Sequence, residues 1–446
     1  MAAADPTDEL RRVEAALGKR WPESDIEPSL ELIAALTDSL GEPQRAAPVI
    51  HITGTNGKTS TARMVDSLLQ AFGLRVGRFT SPHLESTTER ITIDGVPLSA
   101  ERFAAAYDEV LPFVELVDKA HDRTMSYFEV LTAMAYVTFA DAPVDVAVIE
   151  VGLGGSWDAT NVADGQVAVA TPISLDHTRL LGSTLTAIAT EKAGIIKAGA
   201  TLVTALQPAE AAEVLLRRAL EVEASVAREG LEFGVVERAV AVGGQSLVLQ
   251  GLGGTYDQVF LPLHGPHQAA NAAAALAAVE AFFGGGPRGR IDIDAVREGF
   301  AAATSPGRLE PVRSAPTVLV DAAHNPGGMQ ATVAALADAF DFRRLIAVVA
   351  VLTEKDARGI LEALEPAVDT VVVTQNSSPR SVPVDDLAAL AVAVFGADRV
   401  DVTPRLDDAL EMAIRLAEEE VPLSGVGVLV TGSVVTAGEA RALLRR

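Results

Sequence analysis

Short apolar runs alternate with amphipathic stretches along most of this chain, and the alternation predicts parallel strands connected by helices. Buried strands are predicted for the β-branched runs Val49–Ile52, Val144–Ile149 and Val167–Thr171, and helical patterns follow the first and the third of them. Residues 200–265 are predicted to combine short strands with one helix and to include a small hairpin at 242–263. This order of elements is typical of an open, doubly wound α/β sheet.

The same alternation restarts near Thr317. The runs that predict strands there are TVLVDAAHNPGG, LIAVVAVL, TVVVTQ, RVDVTP and GVGVLVTGS. Segments rich in glycine or proline, at 284–290 and 304–308, precede this second series and indicate a domain boundary. We therefore predict an α/β protein with a phosphate-loop NTPase-like doubly wound sheet domain at 1–303 and a Rossmann-like α/β domain at 304–446.

Composition and charge narrow the class of protein. The chain has 446 residues, of which 49% are hydrophobic and 22% charged, and its formal net charge is -24. Such an acidic chain is poorly suited to nucleic acid or an anionic membrane surface. It contains no cysteine, which excludes disulfides and thiolate chemistry. Without a signal-peptide pattern or an apolar run of the roughly 18 residues that a membrane span needs, we expect a cytoplasmic monomer that acts on small molecules.

The segment PVIHITGTNGKTST, residues 48–61, joins a predicted strand to a predicted helix through a turn that contains glycine. Glycines let backbone N–H groups approach phosphate oxygens, and the N-terminus of a helix favours an anion. Lys58 can neutralise phosphate charge there, and the hydroxyl of Thr59 can bind Mg²⁺. Because Ile52 occupies the first glycine position of the longer phosphate-loop pattern, an ordinary turn with a solvated Lys58 is the alternative interpretation.

Polar residues follow the predicted strands that neighbour this loop. The sequence Ser81-Pro82-His83 follows a further predicted strand at 74–80, Glu150 ends the strand at 144–149, and Asp176 and His177 follow the strand at 167–171. The carboxyl ends of parallel strands meet at one edge of a sheet, where ligands bind. Since carboxylates and imidazoles are natural metal ligands, we predict a metal site at this edge. The alternatives are a solvated turn carboxylate for Glu150 and a structural role for His177.

Several other polar residues remain ambiguous on sequence alone. Lys192 lies in a predicted helix and is most simply a solvated lysine, and Asn271 could face a nucleotide or support a helix cap. In the second domain, Asp321 and His324 follow the first strand and Ser433 follows the last.

The ordered set of motifs resembles a known family. In chain order the sequence contains HITGTNGKTS, TSPHL, SYFEVLTAMA, EVGLGGSWDATN, DHT, EKAGIIK, HQAAN, PGR and DAAHNP. The set resembles the folylpolyglutamate synthase/dihydrofolate synthase family of the Mur ligase superfamily over nearly the whole chain. The resemblance implies a ligase that uses ATP and Mg²⁺ to add L-glutamate to dihydropteroate or a reduced folate through an acyl phosphate, in folate biosynthesis and polyglutamylation.

The resemblance also implies roles for individual residues. It implies ATP contacts at Asn56, Gly57, Lys58, Thr59, Ser60, Asn271, Arg308 and Asp321. It implies metal ligands at Thr59, Ser81, Glu150, His177 and Lys192, the last as its carbamate, and catalytic roles for Lys58, His177 and Lys192. It implies substrate contacts at Pro82, His83, Ser126, Tyr127, Phe128, Glu129, Trp157, Asp158, Ala159, His324 and Ser433, the last two toward glutamate, with the pterin end also near residues 25–27.

Two alternative functions remain open at this point. Thr59 stands where the family usually has glycine and matches instead the muramyl-peptide ligases of cell-wall synthesis. Those ligases carry a large sugar-nucleotide domain before the phosphate loop, whereas 53 residues precede Gly54 here. The other alternative is a nucleotide-switched binding protein that uses the same loop without ligation. For a ligase, we expect the two domains to close on the substrates and exclude water.

Overall fold

Two large sheets, in which most neighbouring strands are parallel, organise the part of the chain that the structure describes. The structure is a computed structural model that describes residues 5–22, 27–285, 289–420 and 425–445, and of Pro6 only the backbone. The chain forms two compact units: the first contains residues up to Glu237, Leu247–Val259 and Ala270–Ala303, and the second contains Arg238–Ser246, Phe260–Ala269 and the chain from Thr304. The functions assigned to 1–303 and 304–446 stay predictions. The predicted pterin loop at 25–27 and the boundary segment at 284–290 lie partly outside the described residues.

The first unit is built around a mixed sheet. In chain order its strands within the described residues are β1 (Val49–Thr53), β2 (Val76–Phe79), β3 (Ile91–Ile93), β4 (Val96–Pro97), β5 (Val146–Glu150), β6 (Gly165–Ala170), β7 (Thr201–Thr204) and β8 (Ser225–Arg228). They lie side by side in the order β4-β3-β2-β5-β1-β6-β7-β8. The pairings of β1 with β5 and with β6 are both parallel. The carboxyl ends of these three strands therefore lie next to one another.

Helices cover both faces of this sheet. Those that precede the small sheet are α1 (Pro6–Leu17), α2 (Glu31–Ser39), α3 (Lys58–Ala71), α4 (Ala100–Ala120), α5 (Tyr127–Asp141), α6 (Thr178–Leu181), α7 (Leu185–Ala193) and α8 (Ala209–Glu221). One core cluster combines apolar residues of α1, α2, α4 and α5 with those of β1, β2, β3 and β5. A second combines α7 and α8 with β6 and β7. None of the helices in the described ranges has the length and apolar character of a membrane span.

A small sheet and two helices follow in the chain. Its strands are β9 (Gly234–Ala241), β10 (Gly244–Gln250) and β11 (Thr255–Leu261), in the order β11-β10-β9, and the helices are α9 (Pro266–Phe282) and α10 (Ile293–Ala301). The predicted hairpin corresponds to β10 and β11, whereas β9 lies within the range predicted to contain short strands but was not placed individually. The side chains of β9 are all exposed or half-buried, so this strand lacks the buried apolar face that a sequence pattern reveals.

The second unit contains a sheet that is parallel except at one edge. Its described elements are β12 (Glu310–Ser314), β13 (Thr317–Val320), α11 (Pro326–Ala339), β14 (Arg344–Val349), α12 (Ala357–Leu364), β15 (Thr370–Gln375), α13 (Val384–Phe395), β16 (Val400–Arg405), α14 (Leu406–Glu418), β17 (Val426–Thr431) and α15 (Val434–Leu444). The strand order is β12-β13-β17-β14-β15-β16. The antiparallel edge strand β12 was not predicted, while the parallel strands and the α/β class were.

A buried carboxylate on α9 fixes the turn between β10 and β11. Glu280 is fully buried and accepts hydrogen bonds from the backbone N–H groups of Leu252 and Gly253 and from the hydroxyl of Tyr256, the last at 2.7 Å. A Cβ atom at Gly251 would lie 2.3 Å from a carboxylate oxygen of Glu280. The backbone N–H groups of Leu252 and Gly253 therefore depend on this one side chain for their acceptor.

The substitution Glu280→Ala tests this dependence. It leaves buried donors without an acceptor, and we expect it to lower the free energy of unfolding by about 3 kcal/mol or more. The matched control, Glu298→Ala, changes an exposed residue of α10 and should alter that free energy by less than about 0.5 kcal/mol. Urea unfolding of both variants measures the difference, and equal effects would contradict the structural role of Glu280.

Candidate functional site

The phosphate loop leaves β1 at the carboxyl edge of the sheet and leads directly into α3. The backbone φ angles are 143° at Gly54 and 89° at Gly57, a region that side chains with a Cβ disfavour. A Cβ atom at Gly54 would lie 1.9 Å from the hydroxyl of Thr171, and one at Gly57 would lie 2.6 Å from Oδ1 of Asn271. The path of the loop therefore requires glycine at both positions, and it places Asn271 against the loop.

Polar contacts hold the loop against the segment that follows β6. The Thr55 hydroxyl donates to the carbonyl oxygen of Ser174 and accepts from its backbone N–H, both at 3.0 Å. The backbone N–H groups of Thr55 and Asn56 both donate to the carbonyl oxygen of Pro172, at 2.9 and 3.3 Å. The Lys58 ammonium donates to the carbonyl oxygen of Thr55 at 3.2 Å. Sequence analysis missed Thr55 and Ser174, since short polar residues in turns carry no distinct signal.

Two residues that the resemblance implies as metal ligands contact the carboxylate of a third. Glu150 ends β5, pairs in register with Ile52 of β1 and is only 1% exposed. Its carboxylate oxygens lie 2.9 and 3.0 Å from the Thr59 hydroxyl, and one accepts from the backbone N–H of Ser81 at 3.3 Å. Ser60 is buried in the first turn of α3. The interpretation of Glu150 as a solvated turn carboxylate is therefore wrong.

The donor set at Glu150 fits a magnesium ion. Mg²⁺ prefers oxygen ligands, is commonly held by one or two carboxylates, and completes its coordination with water and phosphate oxygens. Glu150 supplies a buried carboxylate, and Thr59 supplies a hydroxyl oxygen. No group of three or more His, Cys, Asp or Glu side chains suited to a metal ion occurs within the described residues. The residues here suit a metal that arrives with a phosphate ligand.

Lys192 is buried beside the phosphate loop rather than solvated. Its side chain projects from the last turn of α7, the residue is 4% exposed, and its ammonium donates to the carbonyl oxygen of Gly54 at 2.8 Å. Burial, together with the positive charge of Lys58, lowers the pKa of Lys192 to about 7, against the opposing effect of Asp176 and Asp158. A neutral amine is the form that adds to CO₂, so the carbamate that the resemblance implies is chemically accessible.

His177 lies at the same edge, after β6. It precedes α6 with a φ of 49°, and its Nε2 lies 3.9 Å from a carboxylate oxygen of Asp176. The His177 side chain is 38% exposed, whereas that of Asp176 is 10% exposed. Because Asp176 also acts electrostatically on Lys192, these groups share one neighbourhood. Their roles in catalysis and metal binding stay predictions.

A buried network fixes the loop that follows Glu150. Asp158 is 3% exposed, and its carboxylate accepts from the backbone N–H of Leu153 at 2.8 Å and from the hydroxyl of Thr160 at 2.5 Å. Since Thr160 donates its hydroxyl proton to Asp158, the 2.9 Å contact between Thr160 and Nε2 of His51 requires His51 to donate. Burial lowers the pKa of His51 to about 3, so its imidazole is neutral. Sequence analysis did not single out His51 or Thr160.

The other residues predicted near the pterin end lie in this loop or at the start of α5. Trp157 packs against Gly154, where a Cβ atom would lie 3.1 Å from the indole, and Ala159 begins a short 3₁₀ helix capped by Asp158. Ser126 and Glu129 form a capping box at the start of α5. The structure thus shows structural contacts for these residues, and their roles toward substrate stay predictions.

An arginine that sequence analysis missed connects two predicted substrate residues. Arg90 is 3% exposed and donates through Nε to Nδ1 of His83 at 2.9 Å. Its guanidinium also lies 5.3 Å from the ring centre of Tyr127, a distance suited to a cation–π contact. Phe128 packs beneath Gly152, and the peptide bond before Pro82 is cis. Arg90 thereby connects His83 and Tyr127, and the roles of these two residues toward substrate stay predictions.

In the second unit, Asp321 fixes the turn that carries Arg308. Asp321 is 4% exposed, and its carboxylate accepts from the backbone N–H groups of Ala323 and Leu309, at 2.9 and 3.0 Å, and from the hydroxyl of Thr332, at 2.9 Å. A carboxylate has acceptor capacity for about four hydrogen bonds, so Asp321 can accept one more.

His324 and Ser433 follow strands of this second sheet that are neighbours, β13 and β17. Nδ1 of His324 lies 3.0 Å from the carbonyl oxygen of Ala322 and is therefore the protonated ring nitrogen. Ser433 is the N-cap of α15, where its hydroxyl accepts from the backbone N–H of Thr436 at 3.0 Å. The sheet therefore brings the two predicted glutamate residues to one edge.

Comparisons with known proteins agree with this architecture. The Mur ligase middle domain family matches residues 52–279, and the Mur ligase, glutamate ligase domain family matches residues 307–434. The fold and site therefore define a Mur-type ligase.

Individual relatives narrow the class further. A dihydrofolate synthase/folylpolyglutamate synthase of Mycobacterium tuberculosis is 54% identical, over 99% of this chain and 95% of the relative. A structure of Mycobacterium tuberculosis folylpolyglutamate synthase complexed with ADP matches with a TM-score of 0.95 over 99% of both chains. Escherichia coli FolC in complex with DHPP and ADP matches at 30% identity, with a TM-score of 0.84, over 100% of this chain and 98% of that chain. The chain belongs to the folylpolyglutamate synthase/dihydrofolate synthase family, which disfavours the muramyl-type alternative that Thr59 raised.

The buried His51 predicts a specific loss of stability in acid. The folded protein keeps His51 neutral down to about pH 3, whereas the unfolded chain binds a proton near the usual pKa of 6.5. The unfolded state therefore binds more protons across this window, and stability should fall as the pH decreases from about 6.5 to 3. The variant His51→Gln, which retains a donor for Thr160, should lose less stability between pH 7 and pH 4 than the unmodified protein.

Urea unfolding at both pH values measures this difference. The control, Thr138→Val, changes a buried side chain of the same unit that does not titrate, so this variant should lose as much stability between the two pH values as the unmodified protein. An unchanged pH dependence in His51→Gln would contradict the assignment.

Proposed function

We propose that this protein joins L-glutamate to dihydropteroate, to a reduced folate, or to both, in an ATP-dependent reaction. The observation that supports the proposal most directly is the convergence of Lys58, Thr59, Glu150 and Lys192 at one edge of a parallel sheet. These residues belong to a chain whose relatives are named for this ligation.

The chemistry explains why a triphosphate site is needed. A carboxylate does not react with an amine, so the γ-phosphoryl group of ATP is first transferred to a carboxylate oxygen of the acid substrate. The bond from the γ-phosphorus to ADP breaks, and an acyl phosphate forms. The amino group of glutamate then attacks the acyl carbon, phosphate leaves, and the nitrogen loses a proton. The product is an amide, with ADP and inorganic phosphate.

Positive charge at the loop assists the first step. Transfer of a phosphoryl group brings anionic oxygens together, so fixed cations lower the barrier. Lys58 is held at the start of α3, and the N-terminus of that helix contributes its dipole. The nucleotide is also expected to contact Asn56, Ser60 and Asn271.

We propose that Thr59, Ser81 and Glu150 hold Mg²⁺ when the nucleotide is bound. A magnesium ion there supplies charge neutralisation for the phosphoryl oxygens. Lys192 is proposed to act as its carbamate. Its ammonium first loses one proton, and the neutral nitrogen then adds to the carbon of CO₂ and loses a second proton, so that a cation becomes an anion. His177 is proposed to contribute to the same cluster of charged groups.

The second unit is proposed to supply Arg308 and Asp321 to the nucleotide and His324 to glutamate, with Ser433 at the same edge of the sheet. Pro82, His83, the segment 126–129 and the segment 157–159 are proposed for the acid substrate. A cytoplasmic location and a monomeric state remain predictions.

Product analysis tests the proposed reaction. The protein is incubated with ATP, Mg²⁺, L-glutamate and either dihydropteroate or a reduced folate, and the products are identified by mass. We expect a product heavier by one glutamyl residue with at least one of the two acids, and phosphate release that depends on both the acid and glutamate.

Matched variants show whether the phosphate loop is responsible. Lys58→Ala should lower turnover at least about a hundredfold, because it removes fixed charge from the transferring phosphoryl group. Lys119→Ala removes an exposed lysine of α4 and should have no effect. Phosphate release that is indifferent to glutamate would instead support a nucleotide-switched binding protein, and near-normal turnover in Lys58→Ala would refute the role of the loop.

A further inference from the structure

A closed hydrogen-bond cluster at the carboxyl edge of the second sheet involves Asn376, which sequence analysis did not single out. Asn376 follows β15, and its amide nitrogen donates to the hydroxyl of Ser433 at 3.1 Å and to that of Thr436 at 3.0 Å. All three residues are at least nine-tenths buried. Because β14 lies between β15 and β17, Asn376 reaches across the end of β14 to make these contacts.

The orientation of the Asn376 amide follows from its partners. Its oxygen accepts from the backbone N–H of Ser378 at 3.0 Å, which a nitrogen in that position could not do. Its nitrogen therefore faces the two hydroxyls and has one hydrogen for each. Asn376 is thus a donor to Ser433 and Thr436.

The proton positions in the cluster can be assigned in the same way. The Thr436 hydroxyl donates to the carbonyl oxygen of Ala350 at 3.0 Å, so it can only accept from Ser433, whose hydroxyl lies 2.8 Å away. The Ser433 hydroxyl accepts from Asn376 and from the backbone N–H of Thr436, and it donates to the Thr436 hydroxyl. Both acceptor sites and the single proton of the Ser433 hydroxyl are therefore used within the protein.

This assignment changes the role expected of Ser433. A hydroxyl that is 1% exposed and has no unused donor or acceptor cannot bind glutamate directly without breaking the cluster. The cluster instead fixes the first turn of α15 against the ends of β14 and β15. The cluster therefore affects a ligand at this edge indirectly, because it fixes the position of the backbone there.

We propose that Asn376, Ser433 and Thr436 form one positioning unit for the amino acid substrate. Loss of the Asn376 side chain should weaken glutamate binding as much as loss of the Ser433 hydroxyl. The proposal rests on the proposed function, since it assumes that glutamate binds at this edge. Substitutions at any of the three positions should then raise the KM for glutamate and leave the KM for ATP unchanged.

Isosteric and conservative substitutions test the proposal. Asn376→Ala removes both donors, and Thr436→Val keeps the shape of the side chain but removes its hydroxyl. Each should raise the KM for glutamate about tenfold, as should Ser433→Ala. Thr436→Ser retains the hydroxyl and should restore a KM close to that of the unmodified enzyme. The KM for glutamate of the double variant Asn376→Ala/Ser433→Ala should be close to that of the more impaired single variant, because the two residues act as a unit.

A control separates this effect from a loss of stability. Tyr256→Phe removes a buried hydrogen bond of similar kind in the first unit, so it should lower the melting temperature and leave the KM for glutamate unchanged. Initial rates are measured for each enzyme with glutamate or ATP as the varied substrate.

Two results would overturn this inference without affecting the proposed function. One is an unchanged KM for glutamate in Asn376→Ala together with a raised KM for glutamate in Ser433→Ala. The other is a rise in the KM for ATP equal to the rise in the KM for glutamate. If the unmodified enzyme forms no glutamate-containing product, the proposed function fails as well, which distinguishes the two failures.

Discussion

The parallel pairing of β1 with β5 and β6 is the constraint on which the rest of the first unit depends. It places the phosphate loop after β1, Glu150 at the end of β5 and the Asp176 segment after β6 at one edge of one sheet. Strand ends alone would not make a site. The loop must also pass close to Thr171 and Asn271, which only glycine at positions 54 and 57 allows. Sheet topology and backbone freedom together bring the charged groups to the same place.

The charges at this edge depend on each other. Glu150 is buried with the hydroxyl of Thr59, and Lys192 is buried beneath the loop that carries Lys58. Burial penalises each of these charged groups, and two lysines near one another penalise each other further. Such a cluster is costly for folding alone. A bound polyanion and a divalent cation would compensate the charges, which explains why an acidic protein gathers lysines at this edge.

Much of the fold could be predicted because its parallel strands are β-branched runs, and buried strands reveal themselves in that way. The strand β12, which was missed, and the strand β9, which was not placed individually, have no buried side chains, so their patterns are weak. Lys58, Glu150 and His177 were predicted because a motif or a strand end marks them. His51 and Thr160 lie 109 positions apart in the sequence, and Asn376 and Ser433 lie 57 apart. The roles of these residues depend on contacts that no local sequence pattern encodes. The burial of Lys192 likewise could not be predicted from its own sequence neighbourhood.

The central claim is that the edge formed by β1 and β5 holds a metal-bound triphosphate. The most direct test of this claim is whether nucleotide binding depends on magnesium. Titration calorimetry with a non-hydrolysable ATP analogue, with and without Mg²⁺, compares the unmodified protein with Glu150→Gln. The account predicts that Mg²⁺ strengthens binding of the analogue to the unmodified protein and has little effect on the variant. An equal effect of Mg²⁺ on both proteins would contradict it.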